Sequence, residues 1–245
     1  MIRPDHRPPG QLRPLDFTWD VAPNALASIL LKCGGTQVIT AVSVEASVPK
    51  WKEKQGIPGG WLTAEYSMLP YSTDERKPRD ITKGKLDGRS QEIQRLIGRS
   101  LRAALDLEKI GPRSLWVDCD VLAADGGTRT TAITGAFLSL KLACSRLRAT
   151  KALDSDPILS PVAATSVGLY QGVPILDLCY LEDRDATVDM NVVMNARGEF
   201  IELQASGEEA TFSPADLERL LRLARSGIKK LFHFQQRAWK ERPQT

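Results

Sequence analysis

Between Leu115 and Leu147 the apolar pattern changes period across a glycine turn. Leu115 to Val121 alternates as a strand does, and Ile133, Ala136, Phe137, Leu140, Cys144 and Leu147 then recur at helical spacing. The join is Gly126-Gly127-Thr128-Arg129-Thr130, so a strand turns on glycines directly into a helix. Neither element buries its apolar side alone, and further layers must cover both.

The rest of the chain supplies them. Two runs rich in Ile, Val, Leu and Thr between Leu26 and Val44 flank Cys33-Gly34-Gly35, which predicts a β-hairpin. Pro49, Pro58, Gly59-Gly60, Pro70, Pro78 and Gly84 punctuate the stretch from Pro49 to Gly88, which predicts short elements and long loops. Ile93, Leu96, Ile97, Leu101, Ala104 and Leu105 then predict a helix stopped by Gly111-Pro112, with Arg95, Arg99 and Arg102 on its other face. Val162 to Leu169, Pro174 to Leu181 and Val188 to Met194 read as three strands of an antiparallel meander, with a first turn at Gln171-Gly172. Ser213-Pro214 pairs a capping hydroxyl with proline at the first helical position, opening a long closing helix with Leu217, Leu220, Leu221, Ala224, Ile228 and Leu231 on its apolar face. Helices set between antiparallel runs, without regular βαβ alternation, predict an α+β fold of mixed or antiparallel sheets with packed helices. The 245 residues are enough for one domain, residues 1–245.

Composition narrows the chemistry. Cys33, Cys119, Cys144 and Cys179 are widely spaced, with no C-x-x-C pair to suggest zinc and no disulfide framework. No apolar run has the length of a signal peptide core or a membrane span, so the expected location is the cytoplasm. The two histidines, His6 in a proline-rich tail and His233 in the closing helix, argue against a histidine base or a multi-histidine metal site. The net charge of +3 balances 33 basic against 30 acidic residues, so a nucleic-acid surface requires local clustering.

Three segments carry candidate chemistry. The Gly126 to Thr130 turn offers backbone N–H groups at a helix N-terminus beside a hydroxyl and a guanidinium, an anion pocket, although a permissive turn is the plainer reading. Arg129 at the positive end of a helix opposes the dipole and invites an anionic partner. Asp87 to Glu92 lies ahead of the first long helix with Arg89 at its mouth; Glu92 caps the start or pairs with Arg95, and the segment can also be a cap alone. The third is Leu176 to Asp183 followed by Val188 to Met194, acids set among residues made for burial. A reversal at Arg184 to Ala186 puts Asp183 and Asp189 on adjacent strands beside one turn, where two carboxylates can share Mg²⁺ or form a salt-bridged turn. Alternation puts Asp189 and Asn191 opposite Val188, Met190 and Val192, and Asp177 is read as a buried structural acid.

These segments in this order, with the opening R-P-D-H-R and the W-L-T-A-E-Y-S-M-L-P run at Trp61 to Pro70, resemble the ribonuclease PH family over nearly the whole chain. The resemblance implies an α+β fold shared with polynucleotide phosphorylase and exosome ring subunits, assembled as a homohexameric trimer of dimers. It implies a phosphate-dependent 3′-exoribonuclease, a nucleotidyltransferase that trims the 3′ ends of tRNA precursors and releases nucleoside diphosphates. By motif position, Arg89, Gly127, Thr128 and Arg129 hold the attacking phosphate, and Asp183 and Asp189 serve a divalent metal, Mg²⁺ or Mn²⁺, and the leaving oxygen. His6 departs from the pattern, standing where glycine is common. The rival readings are a non-catalytic RNA-binding ring subunit and a hydrolytic nuclease.

RNA must also be gripped. The loop from Trp51 to Lys85 mixes Trp51, Trp61, Tyr66 and Tyr71 with cations including Lys50, Lys52, Lys54, Arg76, Lys77, Arg79 and Lys83. Rings for stacking and cations for phosphates suit a single strand. A split role is expected, aromatics packing inward with Arg76 and Arg79 toward RNA, joined by Arg99; subunit contact is the alternative.

Overall fold

The computed structural model describes residues 2–79, 82, 84–85, 87–208 and 210–244. Among these, the first half builds one sheet from β1 (Leu15–Trp19), β2 (Ala27–Cys33), β3 (Thr36–Glu45), β4 (Trp61–Met68) and β5 (Ser114–Ala123), in the order β1-β2-β3-β5-β4. Every neighbouring pair is antiparallel except β4 with β5, which run parallel. The second half builds an antiparallel sheet, β7-β6-β8-β9, from β6 (Val162–Tyr170), β7 (Val173–Leu176), β8 (Val188–Asn195) and β9 (Phe200–Gly207). The helices are α1 (Lys50–Lys54), α2 (Gly88–Arg102), α3 (Leu107–Ile110), α4 (Thr128–Ala149), α5 (Tyr180–Asp185) and α6 (Pro214–Lys240). The α+β expectation holds.

Helix α4 joins the two sheets, and its burial nearly all round shows it. Ile133, Phe137 and Leu140 share a core with Val38 and Val117 of the first sheet and with Val162, Ala164 and Val193 of the second. Each such side chain contributes roughly 1.5–3 kcal/mol on leaving water. Polar ties fix its rotation: Thr134 Oγ1 accepts from Ala164 N–H (3.2 Å), and the Ser139 and Thr40 hydroxyls share a hydrogen bond (2.7 Å). Helix α6 closes the second sheet's outer side, Gln235 donating to the Thr134 and Val162 carbonyls. Its start is as read: Ser213 caps, accepting from Asp216 N–H, with Pro214 at the first helical position.

The β2–β3 hairpin, the β5 strand and the glycine entry to α4 stand where expected. Four expectations need correction. Helix α2 stops at Arg102, not Gly111; the chain leaves the axis so that Leu105 can bridge to Ile158, and Asp106 then caps the separate α3. The run Pro174 to Leu181 is a strand only to Leu176, after which Asp177 takes φ +57° and Tyr180–Asp185 winds into a helical turn whose Glu182 accepts from Cys179 N–H (3.0 Å). The second sheet is not a meander, because β6 lies between β7 and β8. Strands β1, β4 and β9 were absent from the reading, and β4 is an eight-residue strand within the stretch read as loop. His6 has φ +60°, the left-handed region glycine enters freely.

Candidate active site

The turn before α4 is built for close approach. Gly127 caps the helix at φ +63°. A Cβ on Gly126 would lie 2.6 Å from both the Leu178 carbonyl oxygen and the Cys179 carbonyl carbon, so only glycine lets the start of α5 abut the start of α4. The contact is pinned by polar groups: Asp125 Oδ1 accepts from Tyr180 N–H (3.2 Å), and Thr36 Oγ1 donates to the Gly126 carbonyl (2.6 Å). Thr128 is buried, its hydroxyl accepting from Tyr66 (2.8 Å).

Three of the expected residues line one cleft of 560 Å³: Arg89 from the first turn of α2, Asp183 from α5 and Asp189 from β8, with Thr187 and Glu208 at its edge. Asp183 and Asp189 therefore meet as expected, but Asp183 stands on a helix, not on a neighbouring strand. The alternation within β8 is as read, Asp189 and Asn191 half-buried and Val188, Met190 and Val192 buried. Asp189 Oδ1 is buried and meets no hydrogen-bond donor among the described residues. A polar atom so placed costs about 1–3 kcal/mol unless something binds it.

The electrostatics agree. Protein crowding around Asp183 raises its carboxyl above the ordinary range, while Arg89 and Arg129 pull it down. Burial raises Asp189 and the charge of Asp183 raises it further, again opposed by Arg129 and Arg89. Both carboxyls and both arginines thus share one field. Arg129 Nη1 donates to Gln204 Oε1 (2.8 Å) and lies 3.4 Å from Glu92 Oε1, so Glu92 answers Arg129 and not Arg95, and Asp87 is the cap of α2.

The residues expected to grip RNA are dispersed. Arg76 and Arg79 are exposed, and Arg79 lines a second cleft of 380 Å³ with Lys77, Glu65, Asp118 and Asp120, against the α2 residues Ser90 and Gln94. Arg99 pairs with Glu202 of β9. Lys52 is buried, donating to the Ile57 (3.0 Å) and Pro58 (2.5 Å) carbonyls, and so is structural. Tyr66 packs inward, but Trp51 (45%) and Tyr71 (67%) are exposed, against the expectation that the rings turn in. Lys83 lies outside the described residues.

Sequence reading missed what positions the site. Arg3 grips Glu182 through two hydrogen bonds (2.6 and 2.7 Å), and Arg13 grips Asp177 (2.7 Å) while also donating to the Asp125 carbonyl. All four side chains are buried, so the N-terminal segment holds both the approach to α5 and the glycine turn. The only signal was the R-P-D-H-R opening, which carried no role of its own.

Comparison with known proteins decides the family. Models of domains 1 and 2 of a 3′ exoribonuclease family match residues 11–145 and 160–227. The chain belongs to the 3′ exoribonuclease family. Relatives named ribonuclease PH are 51% identical over 234 residues in Solibacter usitatus, covering 96% of this chain and 98% of the relative. In Halalkalibacterium halodurans the identity is 50% over 238 residues, covering 97% and 92%. Two solved structures share the fold at 19% identity: rice Rrp46, with a TM-score of 0.77 over 96% of this chain and 98% of that one, and the Archaeoglobus fulgidus exosome with RNA bound to the active site, with 0.80 over 95% and 92%. This 3′ exoribonuclease is phosphate-dependent, removing nucleotides from RNA ends with inorganic phosphate as co-substrate, a nucleotidyltransferase by reaction class.

Proposed function

We propose that Arg89 and the Gly127-Thr128-Arg129 group hold the attacking phosphate, and that Asp183 and Asp189 hold a divalent cation and face the leaving oxygen. The observation that carries this reading is the buried, unpaired Asp189 Oδ1 in a cleft shared with Asp183 and Arg89. Two carboxylates suit Mg²⁺ or Mn²⁺, which fill their other positions with water and phosphate oxygens. Among the described residues no group of three or more His, Cys, Asp or Glu is arranged for a metal. When bound, the cation neutralises charge on the phosphate oxygens.

In the reaction a phosphate oxygen attacks the terminal phosphodiester phosphorus, and the bond to the 3′ oxygen of the preceding ribose breaks. The products are a nucleoside diphosphate and an RNA shortened by one nucleotide. The attacking hydrogen phosphate gives up one proton and the departing 3′ oxygen takes one up, so protons and charge balance. The two reactants are anions, and the arginines offset their repulsion. Arg129 spends Nη1 on Gln204 and Glu92 and keeps other N–H groups for phosphate. The first N–H groups of α4 lack intrahelical partners and add donors. Phosphate is already anionic at neutral pH, so no histidine base is required.

The substrates we propose are the 3′ ends of tRNA precursors, with Arg76, Arg79 and Arg99 along the RNA path and the enzyme acting as a cytoplasmic homohexamer of one-domain subunits. The core shared by the two sheets supports a single folding unit, residues 1–245. No helix of the described residues is long and apolar enough to cross a membrane. The test is digestion of a 3′-tailed tRNA transcript with Mg²⁺, with and without inorganic phosphate. Nucleoside diphosphates released only with phosphate are expected; monophosphates would assign the site to hydrolysis, and no release with RNA binding intact would assign the chain to a scaffold.

A further inference from the structure

Helix α6 separates charge more sharply than any other part of the chain. Between Arg219 and Lys240 it carries seven lysines and arginines and no acidic residue. Outside those positions the chain has 26 basic against 30 acidic residues, so the +3 net charge conceals a basic helix on an acidic body. All seven cations are exposed. At 100° per residue they fall within an arc of about 140°, opposite the buried stripe of Leu220, Ala224, Ile228 and Leu231. Among the described residues only Arg219 has a carboxylate partner, Asp216.

Such a face repels its own copy and attracts a polyanion. The helix is 27 residues long, about 40 Å at 1.5 Å per residue. It begins six residues after Glu208, which lines the active-site cleft, so its start lies within about 22 Å of that cleft. A 3′ end held in the cleft therefore leaves the rest of a folded RNA within reach of the helix.

We propose that the outer face of α6 binds the phosphate backbone of the folded body of the RNA whose 3′ end is being trimmed. The contact is with phosphates, because lysines and arginines set one turn apart on a convex helix surface supply charge along its length; Lys230 and Arg237 also border an open cleft with Leu15, His233 and Phe234. It gives the enzyme a hold on structured RNA that a short single strand, reaching only the cleft, does not use.

The test is the triple variant Arg222→Gln, Lys229→Gln, Lys240→Gln, whose exposed positions and helix-compatible replacements leave the core untouched. The expected result is binding to a tailed tRNA weakened about tenfold, with a salt slope shallower by about 2–3. Phosphorolysis of a short single-stranded oligoribonucleotide is expected to keep its kcat/KM. The charge-conserving variant Arg222→Lys, Lys229→Arg, Lys240→Arg is expected to bind tRNA as the unaltered protein does. Unchanged tRNA affinity and salt slope would overturn the proposal, as would equal losses on both RNAs. A change of oligomeric state in light scattering would also overturn it, by making this face a subunit contact.

Discussion

Two arginine–carboxylate clusters stand side by side in this molecule and are finished in opposite ways. In the first, Asp177 and Glu182 are buried against Arg13 and Arg3. Burial alone would raise both acids, but the arginine hydrogen bonds and charges outweigh it and hold both below the ordinary carboxylate range. In the second, Asp183 and Asp189 face an open cleft with Arg89, their carboxyls pushed up and Asp189 Oδ1 unpaired. Both are built from arginines and carboxylates. The closed cluster has its partners within the fold and stabilises it, whereas the open one leaves a buried carboxylate oxygen without a hydrogen-bond partner among the described residues.

The largest effect expected from breaking this contrast is on stability. Arg13→Met leaves Asp177 buried without its main partner, a change that costs about 3–5 kcal/mol, read as a lower urea midpoint. Arg13→Met with Asp177→Leu is expected to recover part of that loss, because no buried charge is then stranded.

Acid sharpens the contrast next. A carboxyl with a lowered folded pKa contributes stability above its unfolded value, near 3.9, and that contribution is lost as pH falls through the folded pKa. Asp177 is such a group, so the unaltered protein is expected to lose stability below about pH 4 more steeply than Asp177→Asn. Asp183 and Asp189 have raised pKa values and the opposite sign: their charged forms cost stability above the folded pKa. The smallest effect is at the surface. Arg99→Ala removes the pair between a half-exposed arginine and the more covered Glu202 and is expected to shift stability by about 1 kcal/mol.

The residues of the open cluster stood out in the sequence as candidates and those of the closed one did not, for a physical reason. Gly126-Gly127, Arg89, Asp183 and Asp189 occupy local patterns, a turn opening a helix or acids inside apolar runs. Arg3 and Arg13 find their acids 179 and 164 residues away, and nothing local in a proline-rich tail announces that. Among the elements, the β2–β3 hairpin and α6 carried clean periods and caps. Strand β4 lay hidden between Gly59-Gly60 and Pro70, whose density of turn residues read as loop. Among the described residues strand β9 pairs only with β8, at the sheet edge, and leaves Leu203 45% exposed, so its alternation is weak. The α5 turn looked like strand because Leu176 to Leu181 is mostly apolar; Arg3 and the Cys179 N–H, both held by Glu182, make it a helix.

The most direct measurement compares Asp189→Asn with Asp177→Asn in the same two assays, urea unfolding and phosphorolysis of a tailed RNA. Asp189→Asn is expected to lose about 10²–10³ in kcat/KM while its unfolding midpoint equals or exceeds that of the unaltered protein. Asp177→Asn is expected to lower the midpoint. Full activity in Asp189→Asn, or a loss of stability matching that of Asp177→Asn, would contradict the assignment of the open cluster to chemistry.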